Sequence, residues 1–230
     1  MRQFSVEHLA ALGVMVAAAC FSVWLARRGR ATVALSRTLA VIILAGWVGE
    51  QVADVVEGIW SVKYTVPLQL TDVVSITAVV ALLRPRLLLV ELTFFWALTA
   101  SLQATLTPDL ARTFPSAFYF TYFGYHVGAV VAALLLVFGL RLYPRPGAVW
   151  RVFAATLVVA AVAAAADLIT GGNYMYLREK PEHSSLLSVM SPWPWYIAEA
   201  AVLAIAMLLA LQAITSAIRR RDARARPVPR

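Results

Sequence analysis

The chain has 230 residues, of which 61% are hydrophobic and 14% charged, with a formal net charge of +8. Soluble domains carry about 25% charged residues, so the composition excludes a soluble globular domain and indicates an integral membrane protein. The arginines gather in loops and at the C-terminus, where they set topology and meet anionic lipid, and no nucleic-acid partner is expected.

A membrane-spanning helix needs about 20 mostly apolar residues. Seven stretches meet that requirement, approximately His8–Ala26, Thr38–Trp60, Pro67–Leu83, Leu87–Leu106, Phe118–Leu140, Val149–Thr170 and Trp195–Ser216. The first contains Ala17-Ala18-Ala19-Cys20, a faint lipoprotein-type cleavage box. Arg27, Arg28 and Arg30 follow it closely and the region before it is barely basic, so the helix is expected to be retained. Cys20 is the single cysteine, which leaves no disulfide framework and no thiolate metal site. Arg84-Pro85-Arg86 divides the third span from the fourth, because proline disfavours helix in the residue before it. Thr107-Pro108-Asp109 ends the fourth, Pro144-Arg145-Pro146-Gly147 separates the fifth from the sixth, and Gly171-Gly172 stops the sixth. The expected fold is all-α: a single polytopic transmembrane domain of seven helices over residues 1–218, without internal repeat. A basic, disordered cytoplasmic tail is expected over 219–230.

Charge orients this bundle. The N-terminus and the loops after the second, fourth and sixth spans hold Arg2, Lys63, Arg112, Arg178 and Lys180; the other fifteen of the 20 Lys and Arg lie on the opposite side. The positive-inside rule then puts the N-terminus outside and the C-terminus in the cytoplasm of a multi-pass cell-membrane protein. The long interval 171–196 becomes extracytoplasmic. It is rich in proline and in aromatic residues, including Tyr174, Tyr176, Trp193, Trp195 and Tyr196. Loops of that length in compact domains are often functional lids.

Ionisable residues inside spans are costly and mark candidate sites. Glu50, Asp54 and Glu57 end the second span on one helical face, at i, i+4 and i+7, and His126, Lys63 and Arg112 are their candidate partners. Asp72 opens the third span, Asp167 closes the sixth and Glu199 opens the seventh. All of these lie in the outer half, which predicts one polar cavity there. Glu91 alone falls in the cytoplasmic half, with Arg84 or Arg86 available to pair with it. His126 follows an aromatic string that includes Tyr125; His8 and His183 lie at a helix start and in the loop. Pro67 is suited to the first helical position, which would set Gln69, Thr71 and Asp72 at a helix N-terminus, where free N–H groups favour negative charge. A Thr71 hydroxyl needs a base, and His126 is the imidazole at similar depth. Glu50 or Asp54 could orient that imidazole. Back-bonding to a helix carbonyl is the structural alternative for Thr71. Asn173, Arg178, Lys180 and Trp193 in the loop are the candidates for holding a lipid headgroup.

The chain resembles the YwaF-like family of bacterial integral membrane proteins. More distantly it is similar to the animal acyltransferase that remodels ether phospholipids and to the androgen-induced hydrolases of hydroxy-fatty-acid esters. The resemblance rests on Phe4-Ser5-Val6-Glu7-His8, on Pro67-Leu68-Gln69-Leu70-Thr71-Asp72 and on the stretch from Thr107 to Pro115 followed by His126. It rests also on Asn173-Tyr174-Met175-Tyr176-Leu177-Arg178 and Pro192-Trp193-Pro194-Trp195-Tyr196. It implies lipid acyl chemistry. Where the family pattern reads His and Cys, this chain has Gln69 and Thr71, so a thioester intermediate gives way to a Thr–His pairing of the hydrolase kind. The expected activity is hydrolysis or transfer of a membrane lipid's acyl ester, with Thr71 attacking, His126 as base and Glu50 orienting. The alternative is a lipid or small-molecule carrier that uses the carboxylates of the second span. No cofactor or metal is expected, since three scattered histidines do not make a zinc site. A retinal protein is excluded because the lysines, Lys63 and Lys180, lie in loops.

Overall fold

The computed structural model describes residues 1–110, 112–181 and 185–224. His183 and residues 225–230 lie outside the described residues. Seven helices form the described chain: α1 (Val6–Arg27), α2 (Thr32–Val56), α3 (Leu70–Leu83), α4 (Leu87–Leu106), α5 (Ala117–Gly139), α6 (Ala148–Thr170) and α7 (Trp195–Arg224). Among the described residues there is no strand. Six of the helices are long and apolar enough to cross a membrane, and α3, at 14 residues, is a shorter apolar helix. Two π-helical segments interrupt the regular turns, Ala97–Ser101 in α4 and Leu135–Gly139 in α5.

The packed centre is the contact of α2 with α5, and its cause is local. Gly46 brings the α2 backbone so near α5 that a Cβ there would lie 2.9 Å from both Thr121 O and Tyr125 N. On α5, Gly124 faces Gly46, and Gly128 leaves the room that the Ile43 side chain fills. Gly124 and Gly128 form a small-x-x-x-small pair, the spacing that lets membrane helices approach closely when lipid removes any hydrophobic drive between them.

Contacts sort the loops into two ends. At one end the start of α1 meets the end of α4 and the start of α5: His8 Nε2 bonds Thr105 O at 2.9 Å, and the Tyr119 hydroxyl donates to Glu7 O at 2.7 Å. The segment 171–194 between α6 and α7 lies at this same end, where its Tyr174 meets Val62 and Val66 before α3. It holds two short 3-10 turns, Tyr174–Tyr176 and Leu186–Val189. At the other end, Arg27 of α1, Arg141 and Tyr143 beyond α5, and Asp222 of α7 come together. This alternation is the one that the charge count presupposes.

Three expectations change. Helix α3 starts at Leu70 rather than at Pro67, because the Asp72 carboxylate accepts the Gln69 N–H at 3.0 Å and so caps the helix from its third position. Glu91 pairs with Arg145 and Arg151, both at 2.9 Å, and not with Arg84 or Arg86. Its side chain is wholly buried on the inner side of α4, while Arg84 and Arg86 are exposed in the turn before that helix. Residues 219–224, expected as disordered tail, continue α7. Asp222 holds them there, accepting from Tyr143 at 2.6 Å and from Arg27 at 3.1 Å.

The backbone approach at Gly46 generates a paired prediction. Gly46→Ala must push two backbones apart, a distortion worth about 1–3 kcal/mol, and should lower the midpoint of thermal unfolding in detergent by several degrees. Gly13→Ala on α1 meets nothing within 4 Å and should leave that midpoint unchanged or raise it slightly.

Candidate functional site

A cavity of about 480 Å³ opens at the end where the 171–194 segment covers it as a lid, between the start of α3, the second half of α4, the first turns of α5, that segment and α7. Its polar wall contains Gln69, Thr71, Gln103, Thr107, Asp109, Tyr122, Tyr125 and His126. Four expected site residues, Gln69, Thr71, Tyr125 and His126, therefore line one space. A larger groove of about 590 Å³ lies between α1, α2 and α5, but apart from Glu7 and Tyr119 its lining is apolar and offers no reactive group.

Each of the two reactive groups is placed by a distinct device. Thr71 is the second residue of α3, whose first turn is tied down by Asp72: one carboxylate oxygen takes the Gln69 N–H and the other takes the Trp47 indole N–H of α2 at 3.0 Å. Thr99, Thr105, Thr107, Thr156, Thr170 and Thr215 each return their hydroxyl to the carbonyl four residues earlier. Among the described residues Thr71 makes no such bond, because so near the start of α3 there is no preceding helical turn to accept it. Its hydroxyl thus remains available to the cavity.

His126 is buried on α5, its ring against Tyr122 and Tyr125 with centroids 4.3 and 4.1 Å away. Its Nδ1 has no hydrogen-bond partner among the described residues. His8 is the instructive contrast. Its Nδ1 accepts the Phe4 N–H at 2.9 Å, so its Nε2 carries the proton and donates to Thr105 O. Both nitrogens of His8 serve the fold, whereas Nδ1 of His126 is buried without a partner among the described residues, in a residue that lines the cavity.

The other expected site residues have different positions. Glu50 does not line the cavity; the Tyr125 hydroxyl lies at its carboxylate, so it bears on the site through Tyr125 and does not orient the imidazole. Asp54, one turn farther along α2, is also outside the lining. Glu57 pairs with Arg112 at 2.9 Å, and that guanidinium holds its carboxyl below the ordinary carboxylate range. Asp72 caps α3, as described, and is not part of the lining.

The four loop candidates brace the lid itself. Asn173 Oδ1 accepts the Arg178 and Glu179 N–H groups at 3.0 and 3.2 Å. Arg178 Nη1 donates to the Asp167 and Gly172 carbonyls, Lys180 Nζ to Met190 O at 2.5 Å, and Trp193 Nε1 to Leu177 O at 3.1 Å. What the lid shows to the cavity is Met175, Tyr176, Pro181, Ser185, Leu186, Leu187 and Met190. Tyr174, wholly buried, pins the lid to the α2–α3 connection by accepting from Val66 N at 3.1 Å and donating to Val62 O at 2.7 Å. The Gln69 side chain takes the Met175 N–H at 2.8 Å, and the Tyr196 hydroxyl donates to Tyr176 O. Gln69 is therefore a lid latch as well as a wall residue.

A family model described as the TMEM164 family matches residues 3–212. The chain belongs to the TMEM164 family. This is a multi-pass membrane family, in keeping with the apolar helices here, and the TMEM164 match takes in every element that lines the cavity. No curated protein and no solved structure matches the chain.

Some lining residues went unnoticed in the sequence although a signal was present. Tyr122 precedes His126 by four residues and so shares its face; its hydroxyl donates to Ala104 O at 2.8 Å. Gln103 and Thr107 have the same spacing and bond each other at 3.2 Å. Tyr176 carried no such signal, since its backbone takes a φ of 54° within an irregular segment.

Tyr174→Phe removes both hydrogen bonds of the lid pin, each worth on the order of 1 kcal/mol. Amide exchange should accelerate across 171–194 and stay unchanged in α1 and α5, as read by hydrogen–deuterium exchange.

Proposed function

We propose that this TMEM164-family protein hydrolyses or transfers the acyl ester of a membrane lipid, with Thr71 as nucleophile and His126 as general base. The observation that carries the reading is a single cavity whose lining holds both Thr71, with a hydroxyl free of a back-bond, and the imidazole-bearing residue His126. The similarity to the YwaF-like proteins and their acyl-ester relatives supports the same chemistry. No observation favours the carrier alternative, since none of Glu50, Asp54 and Glu57 lines the cavity.

Thr71 Oγ1 attacks the ester carbonyl carbon as His126 takes its proton. The tetrahedral intermediate collapses, the C–O bond to the lipid breaks, and the leaving alkoxide takes the proton back from the imidazolium. The acyl group is then an ester of Thr71. Water, or the hydroxyl of a lysolipid, attacks that ester with His126 again as base, which frees the acyl product and restores Thr71. Glu50 is a positioning residue, acting on the wall through the Tyr125 hydroxyl. Arg178 and Lys180 do not line the cavity, and their bonds go to the carbonyls of Asp167, Gly172 and Met190.

Removing either reactive group should cost at least about a hundredfold in acyl release. Thr71→Ala and His126→Ala protein, reconstituted in vesicles of ester phospholipid, should release no fatty acid and form no transfer product, as followed by mass spectrometry. Wild-type rates from both variants would end the proposal.

The orientation proposed with it puts the lid end outside the cell membrane and Asp222 in the cytoplasm, where the arginines at the end of α7 meet anionic lipid. A single cysteine placed at Ser188, in a Cys20→Ser background, should react with a membrane-impermeant maleimide in intact cells. Labelling only after lysis would reverse the orientation.

A further inference from the structure

The end of the cavity farthest from the lid has a different character from the wall that carries Thr71. There the lining passes onto α7, which contributes Ala200, Leu203, Ala204 and Met207. Their spacing, i, i+3, i+4 and i+7, puts them on one face that runs about 10 Å along the helix at roughly 1.5 Å per residue. Thr99 and Ala100 line the cavity from the π-helical segment of α4, against which α7 packs. Such π-helical turns occur frequently at functional sites. Thr99 turns its hydroxyl to Phe95 O at 2.7 Å, which leaves its methyl for the cavity side.

This end suits hydrocarbon. Among the described residues that line the cavity none is Lys or Arg, and the acidic one, Asp109, belongs to the loop beyond α4 at the lid end. A polar headgroup pushed against α7 would lose its hydrogen bonds, whereas an acyl chain would lose only contact with its neighbours. The side chains along the face also change in size. Ala200 and Ala204 leave a slot. Met207, twelve residues and about 18 Å into α7, is the deepest residue of that helix in the lining.

We propose that this slot holds the acyl chain of the substrate ester and that Met207 is its floor, so that Met207 sets the chain length the site accepts. The inference rests on the acyl-ester reading of Thr71 and His126, and adds to it which part of the lipid enters and how its length is measured. A chain one methylene too long must leave that methylene unaccommodated, a penalty of about fourfold per methylene in kcat/KM.

The test uses full-length protein in vesicles with a series of phospholipid esters that share a headgroup and differ in saturated chain length. Chain lengths of lipid bound to purified Thr71→Ala protein, read by mass spectrometry, give a second measurement that needs no turnover. Met207→Ala should move the preferred length upward by about two to three carbons, and Ala204→Phe should move it downward, in both measurements. Met207→Val gives a smaller upward shift and serves if Met207→Ala does not fold. Unchanged profiles in Met207→Ala, Met207→Val and Ala204→Phe would overturn the proposal. If no ester turns over but bound chain lengths still shift with Met207, the slot stands and the acyl-ester chemistry falls.

Discussion

The site depends on one close approach, that of α2 to α5 at Gly46. A Cβ at that position would meet the α5 backbone at Thr121 and Tyr125, so only glycine admits the contact without displacement. Three consecutive functions follow along α2. Gly46 sets the distance to α5, Trp47 donates its indole N–H to the Asp72 carboxylate that caps α3, and Glu50 meets the Tyr125 hydroxyl one turn later. The wall with His126 and the helix start with Thr71 are thus held from the same two turns of α2. In lipid this kind of bond matters more than area, since burial of apolar surface between helices brings little that the lipid does not already supply.

The two ends of the bundle are built for different tasks. Away from the lid, Glu91 carries Arg145 and Arg151, and Asp222 carries Arg27, Arg141 and Tyr143, all charge-assisted and joining helices distant in sequence. Of these groups Glu91 is wholly buried, and leaving it unpaired would cost several kcal/mol, which ties α4 to Arg145 and to Arg151 of α6. The lid end mixes neutral bonds such as those of the Tyr174 hydroxyl with charged partners, among them Asp167, Arg178 and Lys180. Gln69 connects the two levels, since it stands at the head of α3, lines the cavity and takes the Met175 N–H of the lid.

Much of this was legible in the sequence, for physical reasons that also mark the limit. The seven apolar stretches were readable because the thickness of the hydrocarbon layer imposes a length, and Thr71 and His126 because each is chemically conspicuous at its depth. What escaped depends on contacts between segments far apart. The start of α3 follows Asp72 rather than Pro67, because a carboxylate that satisfies a free N–H outweighs a proline suited to the first turn. The partners of Glu91, Arg145 in a loop and Arg151 in α6, lie more than fifty residues away. The last turn of α7 exists because Asp222 finds Arg27 and Tyr143. Arg178 and Lys180 suggested a headgroup site as isolated charges, but their donors meet the carbonyls of Asp167 in α6 and of Gly172 and Met190 in the lid. The Gly124–Gly128 pair lay inside the aromatic string around His126 and was overlooked beside it.

The central claim is that Thr71 carries the acyl group between two half-reactions. Peptide mass spectrometry after incubation with a nitrophenyl ester of a fatty acid tests it most directly. The account predicts one acyl group on the peptide containing Thr71, absent from Thr71→Ala and His126→Ala protein and lost when a lysolipid is added. Acylation confined to the exposed Cys20, and unchanged in both variants, would contradict it.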